Sequence, residues 1–411
     1  MNPRIGIWHP GASSNHGDRA IQLSTIDLVH EFYPTAEIVQ YHTDVDRAAR
    51  IYEGEPVITE PLGRLGAPGF RALRQLDLLL WGGGSLVQQS SLFHFPRHAI
   101  PALLAKRVGT PVVCFGSGVE PLSNPGLKWL ARHCFDHVFT DAFVRGNQSA
   151  ELLRSYGVTA PVRAAVDQAV SLRPSSAEAA AGHLDKSVGV DVGSTPIVTV
   201  SVKASFIYRG GLLPVSIEFP GRGKRHRARR RARFEEAFAK LLDHVIESTE
   251  AIVVMVPMYG GQGDVEAAER VLGRVSRTER VRIMRDLPKS RVLKAVFGMA
   301  DAHVGVRLHS CILATSAGVP SLGVPYMVKA SEYFEHLGLS EHTVNEEDVT
   351  PASLQEAFSR LWDRRDAVRA HLAATLPAVI GELKSHSESA LRSVLGGAGE
   401  GSSHQARGTG S

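Results

Sequence analysis

Two side chains that can bind an anion and move a proton, Arg307 and His309, stand two positions apart. The apolar residues 302–306 before them predict a β-strand, and residues 310–317 after them predict a helix. The pair therefore lies where a strand ends and a helix begins, a place where α/β proteins commonly hold ligands. Unpaired backbone N–H groups and the positive end of the helix dipole add to the attraction for an anion there.

Arg307 is interpreted as a binding residue and His309 as a proton carrier, because imidazole titrates near neutral pH and can act as a general acid. The alternative is that His309 only packs beneath the sheet. Its position two residues from Arg307 favours the role of proton carrier. Lys329 follows a second apolar strand at residues 321–324. It is a weaker candidate ligand, with a plain surface lysine as the alternative.

A loop in the N-terminal region carries Asn15, Gly17 and Asp18 ahead of a helix predicted for residues 20–32. Asn15 and Asp18 fall where a helix cap and first turn belong, and capping is the favoured interpretation. The alternative is that Gly17 lets a ligand approach the backbone while the two polar side chains bind it. The loop lacks the G-x-G-x-x-G spacing, so no dinucleotide site is indicated.

A second glycine-rich loop follows the apolar strand predicted for residues 76–81, where Gly83, Gly84 and Ser85 suit a ligand wall. A tight turn is the alternative, although three successive glycines exceed what a turn needs. A further strand is predicted for residues 137–140 and an amphipathic helix for residues 143–156. The loops after these strands are expected to meet at one edge of a parallel sheet.

The length of 411 residues exceeds what one hydrophobic core usually serves, so two domains are expected. The predicted fold is α/β, with two Rossmann-like domains facing each other across a cleft. The predicted boundaries are an N-terminal domain at residues 1–175, a linker at 176–195 and a C-terminal domain at 196–372. A solvent-exposed helix between the domains is the alternative for the linker segment. A C-terminal helix at 373–395 and a disordered tail at 396–411 complete the chain.

Composition predicts a cytoplasmic protein, with the inner membrane surface as an alternative place. No run of about 18 apolar residues predicts a membrane span, and the three cysteines are far apart among apolar neighbours. The net charge of +4 depends on residues 222–233, which hold eight Lys and Arg and no acid. This run is predicted to be a solvated loop ahead of a helix beginning near Phe234, or else a segment that attracts an anionic acceptor. Nucleic acid is disfavoured, because no aromatic residues interleave with the charges.

The ordered motifs of the chain resemble those of the polysaccharide pyruvyl transferase family. The matching residues are Asn15 to Asp18, Gly82 to Ser85, Arg145 with Ser149, Asp167, Asp264, the sequence GVRLH that contains Arg307 and His309, AGVP after it, and Tyr326 with Lys329. Two positions depart from the family pattern: Lys203 stands in place of an arginine, and Gly146 in place of an acidic residue. Lys203 keeps the positive charge and loses the planar fork of arginine.

The resemblance implies a fold of the GT-B type and transfer of the enolpyruvyl carbons of phosphoenolpyruvate onto two hydroxyls of a sugar, with release of phosphate. In that reaction Arg307 and Lys203 would clamp the donor and His309 would deliver a proton. An acid in the facing domain, Asp18 or Asp264, would accept the hydroxyl proton. No metal and no cofactor beyond the co-substrate phosphoenolpyruvate is expected.

Two other functions are compatible with the sequence. A glycosyltransferase that uses a nucleotide sugar could share the same architecture. A non-catalytic protein could instead use the basic residues 222–233 to dock onto phosphorylated partners. The expected acceptor of the transferase is a saccharide or glycosylated molecule, lipid-linked or free.

Overall fold

A computed structural model describes residues 2–8, 15–42, 44–61, 67–203, 223–259, 263–324 and 328–396. The side chains of residues 61, 67–69, 223–227 and 328–330 are not part of this description. The predicted tail, apart from Gly396, therefore lies outside the described residues, as does Tyr326.

The N-terminal domain is a parallel sheet of seven strands in the order β3-β2-β1-β4-β5-β6-β7. Its strands are β1 (Arg4–Trp8), β2 (Glu37–His42), β3 (Ile58–Pro61), β4 (Leu78–Gly82), β5 (Val112–Ser117), β6 (Asp141–Arg145) and β7 (Arg163–Ala165). The central strands β4 and β5 are buried along their whole length, which explains their continuous apolar sequences. Its helices are α1 (His16–Phe32), α2 (Val45–Ile51), α3 (Ala67–Arg74), α4 (His94–Arg107), α5 (Pro125–His133) and α6 (Asn147–Ser155).

The C-terminal domain is a second parallel sheet of five strands in the order β10-β9-β8-β11-β12. Its strands are β8 (Ile197–Ser201), β9 (Ile252–Met255), β10 (Val281–Ile283), β11 (Ala302–Gly305) and β12 (Ser321–Gly323). The remaining helices of the described chain are α7 (Ala177–Val188), α8 (Gly223–Thr249), α9 (Asp264–Leu272), α10 (Ser290–Gly298), α11 (Leu308–Thr315), α12 (Val328–His336), α13 (Pro351–Asp363) and α14 (Arg365–Leu395). The predicted pair of α/β sheets is therefore confirmed.

Several element bounds differ from the sequence predictions. The strand predicted for residues 137–140 is instead β6, Asp141–Arg145, because Phe143 and Val144 fill the core between the sheet and its helices. Gly146, with φ 80°, ends that strand, so helix α6 begins only at Asn147. The structure thus moves Arg145 from a predicted helix to the end of a strand.

Three other segments also differ from expectation. Helix α8 extends back to Gly223, so most of the basic run is helical rather than a loop. Within the predicted linker, helix α7 buries Ala180, Leu184 and Val188. The last helix, α14, begins at Arg365, where the amphipathic pattern over residues 366–395 predicts it and ahead of the boundary drawn at residue 373, and it packs against strands of the N-terminal sheet.

The two domains are joined by hydrogen bonds at the start of α1. Asn15 forms an isolated β-bridge with Tyr259, and the backbone N–H of His16 donates to the carbonyl of Met258 at 3.0 Å. Helix α10 adds an ionic contact, in which Arg291 binds Asp27 and Glu55 at 2.7 to 2.9 Å. The cleft is consequently closed at this end. Among the described residues, none of the helices combines the length and the apolar character that crossing a membrane requires.

Candidate functional site

Arg307 lies directly after β11 as the residue that precedes helix α11, as the sequence predicts. Its guanidinium is held by Asp264, with Nε donating to Oδ2 at 2.5 Å and Nη2 to Oδ1 at 2.6 Å. Asp264 is fully buried at the start of α9, and its Oδ2 also accepts the N–H of Tyr259. The ring of Tyr259 lies 5.6 Å from the guanidinium carbon. Two hydrogen bonds therefore fix the plane of the Arg307 guanidinium.

The position of Asp264 corrects the prediction of an acid in the facing domain. Asp264 belongs to the same domain as Arg307 and His309, since α9 lies between β9 and β10. Both of its carboxylate oxygens bind Arg307, and no part of the residue is exposed. A carboxylate in that setting suits the positioning of Arg307 better than the uptake of a substrate proton.

Lys203 lies beside Arg307 because of the register of the C-terminal sheet. Ser201 of β8 pairs with Gly305 of β11, so Lys203 and Arg307 each follow the paired residues by two positions. Lys203 is buried, and its charge acts on Glu346. Burial raises the pKa of Glu346, and the charges of Arg230 and Lys203 partly oppose that rise. The strand ends thus bring two cationic side chains to one place.

His309 stands in the first turn of α11 and contacts the N-terminal domain on two sides. The Cα of Gly17 lies so close to the imidazole that a Cβ atom would overlap its Nδ1 and Cγ. On the other side, Nε2 lies 3.3 Å from Oδ2 of Asp167. That distance permits an ion pair, although the two groups are not aligned as a hydrogen bond. His309 is therefore enclosed by both domains.

Asp167 lies beyond the end of β7 and joins His309 to Arg145. Nη1 of Arg145 donates to Asp167 Oδ2 at 2.5 Å, and Nη2 donates to Ser85 Oγ at 2.8 Å. Burial alone would raise the pKa of Asp167, but the positive charges of His309 and Arg145 outweigh it and hold that pKa well below its usual range. The carboxylate is thus ionised, and it lies beside the imidazole of His309. We call Arg145, Asp167 and His309 the interdomain triad.

The glycine loop after β4 positions Ser85 for this contact. Gly83 and Gly84 both have positive φ, 74° and 65°, and the carbonyl of Gly84 accepts the N–H of Gly118 at 2.7 Å. A ligand-binding role for this loop stays a prediction. The loop forms a turn that packs against the loop after β5 and carries Ser85 to Arg145.

Asn15 and Asp18 both lie at the start of α1, as predicted. Asn15 Oδ1 accepts the N–H of Gly17 at 3.0 Å, so the capping role favoured from the sequence is confirmed. Asp18 lies close enough to Arg19 and Tyr52 to influence the pKa of both. Its role as a proton acceptor stays a prediction, and so does the binding role of Lys329, whose side chain lies outside the described residues.

A cavity of about 520 Å³ opens beside the triad, between the two domains. Four glutamates line it, together with the side chains of Asn147 and Gln148; these glutamates are Glu151, Glu332, Glu335 and Glu382. Glu332 of α12 reaches across the cleft, where its Oε1 accepts the N–H of Gln148 at 2.9 Å. Its carboxylate also occupies the space that a side chain at Gly146 would take. An acidic group is thus supplied beside Arg145 from the opposite domain.

Two Rossmann-like sheets with a site at their facing strand ends define a GT-B-like transferase fold. Solved structures with this fold include ADP-heptose lipopolysaccharide heptosyltransferase II from Escherichia coli, at 14% identity and TM-score 0.51, covering 89% of this chain and 99% of that one. The Staphylococcus aureus MnaA–UDP structure matches at 11% identity and TM-score 0.57, covering 91% of each chain. Anabaena HepE, solved with UDP and glucose, matches at 12% identity and TM-score 0.55, covering 95% and 99%.

The chain belongs to the polysaccharide pyruvyl transferase family, whose model matches residues 15–326. The matched residues contain Arg307, His309 and the rest of the interdomain triad. The protein is accordingly a transferase that acts in polysaccharide modification.

The role of Asp167 and Arg145 was missed by reasoning from the sequence, although both were recognised as family positions. The sequence pattern predicts a helix over Arg145, away from the strand ends. Asp167 follows a short strand, as a site residue commonly does, and that was the available signal. Its distance of 3.3 Å from His309 depends on how the domains dock, which no local pattern encodes.

Proposed function

We propose that the protein transfers the enolpyruvyl group of phosphoenolpyruvate onto two hydroxyls of a saccharide, forming a pyruvate ketal and releasing phosphate. One observation carries this proposal. Two cationic side chains, Arg307 and Lys203, follow neighbouring strand ends, and His309 nearby faces a buried carboxylate. Family membership supports the same reaction class. The proposed reaction uses no cofactor beyond the co-substrate.

Binding of the donor is assigned to the side of the site nearest β8 and β11. Phosphoenolpyruvate carries about three negative charges, and charge-assisted hydrogen bonds bind such groups well. Arg307, held in plane by Asp264, and Lys203 would contact the carboxylate and phosphate. The first N–H groups of α11 point toward the same region and favour an anion. Lys329 is a further candidate ligand.

Proton transfer is assigned to His309. Its protonated imidazole would give a proton to the methylene carbon, which becomes a methyl group and leaves an oxocarbenium ion at the neighbouring carbon. The first sugar hydroxyl adds there, and its proton returns to His309. The carbon–oxygen bond to phosphate then breaks, and the second hydroxyl adds to close the ketal. Asp18 is the proposed acceptor of that second proton, which finally leaves with phosphate.

The acceptor is assigned to the cavity of about 520 Å³ beside the triad. Its glutamates would repel the trianionic donor, whereas carboxylates and amides hydrogen-bond well to sugar hydroxyls. Asp167 and Arg145 line this cavity, so an acceptor hydroxyl bound there would approach His309 from the side opposite Gly17. The cationic side chains would therefore bind the donor at one place, and the glutamate-lined cavity would bind the acceptor at another.

A thermal-shift experiment with phosphoenolpyruvate, inorganic phosphate, UDP and GDP tests the donor. The proposal predicts a rise in melting temperature with phosphoenolpyruvate that exceeds the rise with phosphate, since a ligand that binds only the folded state stabilises it. Arg307→Lys should reduce this rise, and Arg154→Lys, an exposed arginine on α6, should not. Stabilisation by UDP or GDP with no effect of phosphoenolpyruvate would instead indicate a nucleotide-sugar glycosyltransferase.

A further inference from the structure

A second cavity between the domains, of about 220 Å³, lies on the other side of α1 from the triad. Its walls come from α1, from the end of α2 and from the segment that leads into α10. Four cationic residues line it: Arg19, Arg47, Arg50 and Lys289. We call this space the basic cavity. None of the residues proposed above for pyruvyl transfer lines it.

The positive charge of the basic cavity is only weakly balanced by its own lining. Glu55 is the single acidic residue in that lining, and both of its oxygens bind Arg291, at 2.7 and 2.8 Å. Lys289 donates to the carbonyl of Glu53 at 2.8 Å and lies 3.5 Å from a carboxylate oxygen of the same residue, at the exposed rim. Within the described lining, the cations therefore outnumber the acids by four to one.

The electrostatics of Arg19 agree with this excess of positive charge. Burial lowers the pKa of Arg19, and the nearby charge of Arg47 lowers it further, against opposing effects of Tyr52 and Asp18. Two guanidinium groups held close together repel each other, and an anion between them would relieve that repulsion. Arg47 and Arg50 are both exposed, so a ligand can reach them from solvent.

Tyr52 adds a buried donor to the wall of the basic cavity. The residue is 3% exposed, and its hydroxyl has no hydrogen-bond partner among the described residues. Burial raises the pKa of this hydroxyl, so the group stays protonated and can donate. A buried hydroxyl without a partner costs free energy, which a bound acceptor would recover.

We propose that the basic cavity binds a phosphoryl group, with Arg19, Arg47 and the Tyr52 hydroxyl as its main contacts and Arg50 and Lys289 at the rim. A phosphoryl group offers several oxygen acceptors and a charge that matches these donors. The group is either part of a phosphorylated or diphosphate-linked acceptor or a free phosphate. Arg19 follows Asp18 in the first turns of α1, so the helix connects this site to the Gly17–His309 contact.

Isothermal titration with inorganic pyrophosphate tests the proposal in the 411-residue chain at physiological ionic strength, where exposed charges alone attract anions weakly. The wild-type chain should show saturable binding. Arg47→Ala should weaken it about tenfold or more, as expected for the loss of a charge-assisted hydrogen bond. Tyr52→Phe should weaken it about two- to tenfold, as expected for the loss of a neutral one. Arg154→Ala, which removes an exposed arginine far from the cavity, should bind as the wild type does.

Farnesyl diphosphate, a short lipid-linked diphosphate, distinguishes the two sources in the same titration. Binding much tighter than that of pyrophosphate assigns the cavity to a lipid-linked substrate, and equal binding assigns it to a free phosphate. The proposal is overturned if pyrophosphate shows no saturable binding, or if Arg47→Ala and Tyr52→Phe bind it as tightly as Arg154→Ala. Tyr52→Phe leaves the charge unchanged, so its effect separates direct contact from long-range attraction. Because the titration measures binding and no turnover, the result does not depend on pyruvyl transfer.

Discussion

His309 belongs to the C-terminal domain and is enclosed by residues of the N-terminal domain. The backbone of Gly17 covers one part of its ring, and the carboxylate of Asp167 faces its Nε2. Arg145 donates to the same carboxylate oxygen, which keeps Asp167 ionised and in place. Asp167 is therefore placed to orient the imidazole that the proposed reaction uses. The proton transfer proposed for His309 would therefore depend on residues supplied by the opposite domain.

Asp167→Asn should lower kcat by about 10- to 100-fold, as the loss of a group that orients a catalytic side chain commonly does. The KM for phosphoenolpyruvate should change little, because Arg307 and Lys203 are unaltered. Initial rates of phosphate release measure both quantities. Asp141→Asn is a matched control, since Asp141 also pairs with an arginine, Arg163, outside the site. An Asp167→Asn variant with full kcat would rule out this role.

Gly17→Ala should reduce turnover about a hundredfold, because the new Cβ overlaps the imidazole and displaces it from its working position. Circular dichroism should show an intact fold. Gly182→Ala on α7 is the control, since a Cβ there meets no atom within 4 Å. Equal turnover of the two variants would mean that the contact between Gly17 and His309 has no catalytic importance.

At the scale of elements, helix α10 holds the C-terminal domain against the N-terminal one. Arg291 binds two carboxylates at once, and Lys294 buries its ammonium group and donates to the carbonyl of Val170 at 3.1 Å. Val170 belongs to the 3-10 turn Gln168–Ser171, which Asp167 caps through the N–H of Ala169. The helix that joins the domains thus supports the turn that carries Asp167.

Lys294 should make the stability of the protein depend on pH. Burial lowers the pKa of this ammonium group from 10.5 to about 7, partly opposed by Asp27. The folded state releases the proton near pH 7 and the unfolded chain near pH 10.5, so the unfolded chain binds more protons in between. Stability should therefore rise with pH from about 7 to 9.5, by at most ~1.4 kcal/mol per pH unit, and the full penalty persists below pH 7.

Thermal denaturation of Lys294→Met across this range measures the effect. The variant should be at least as stable as the wild type at pH 7 and should show a smaller rise in stability toward pH 9. Lys240→Met, on the exposed face of α8, controls for the loss of one positive charge. A pH dependence that is identical in all three chains would contradict the buried position of Lys294.

Elements were more predictable from the sequence than contacts were. The apolar runs of β4 and β5 and the helix cap at Asn15 follow from local patterns, and the structure has them. The predicted position of strand β6 is wrong because the apolar residues Phe143 and Val144 fit a helical period as well as a buried strand. The pairing of Arg307 with Asp264 joins residues 43 positions apart, and no short pattern records it.

At the scale of the whole molecule, the domain junction forms the candidate active site. The sequence pattern predicts Arg307, Lys203 and His309 at or just after strand ends, and the structure has them there. The ends of parallel strands share one edge of a sheet. The sequence pattern could not place Asp167 or Glu332, which reach the site only when the domains dock. The docked arrangement of the domains is stabilised by the β-bridge between Asn15 and Tyr259 and by the contacts of α10 and α14. Relative motion of the domains would open the site and separate His309 from Asp167.

The most direct test of the account is mass spectrometry of saccharides incubated with the protein and isotopically labelled phosphoenolpyruvate. Mannosyl, galactosyl and glucosyl acceptors, free and lipid-linked, provide the panel. The account predicts that one acceptor gains the mass of a pyruvate less one water, carries the label and forms in step with released phosphate. His309→Ala should abolish this product. Consumption of a nucleotide sugar by the wild-type chain, with labelled phosphoenolpyruvate left intact, would contradict the central claim.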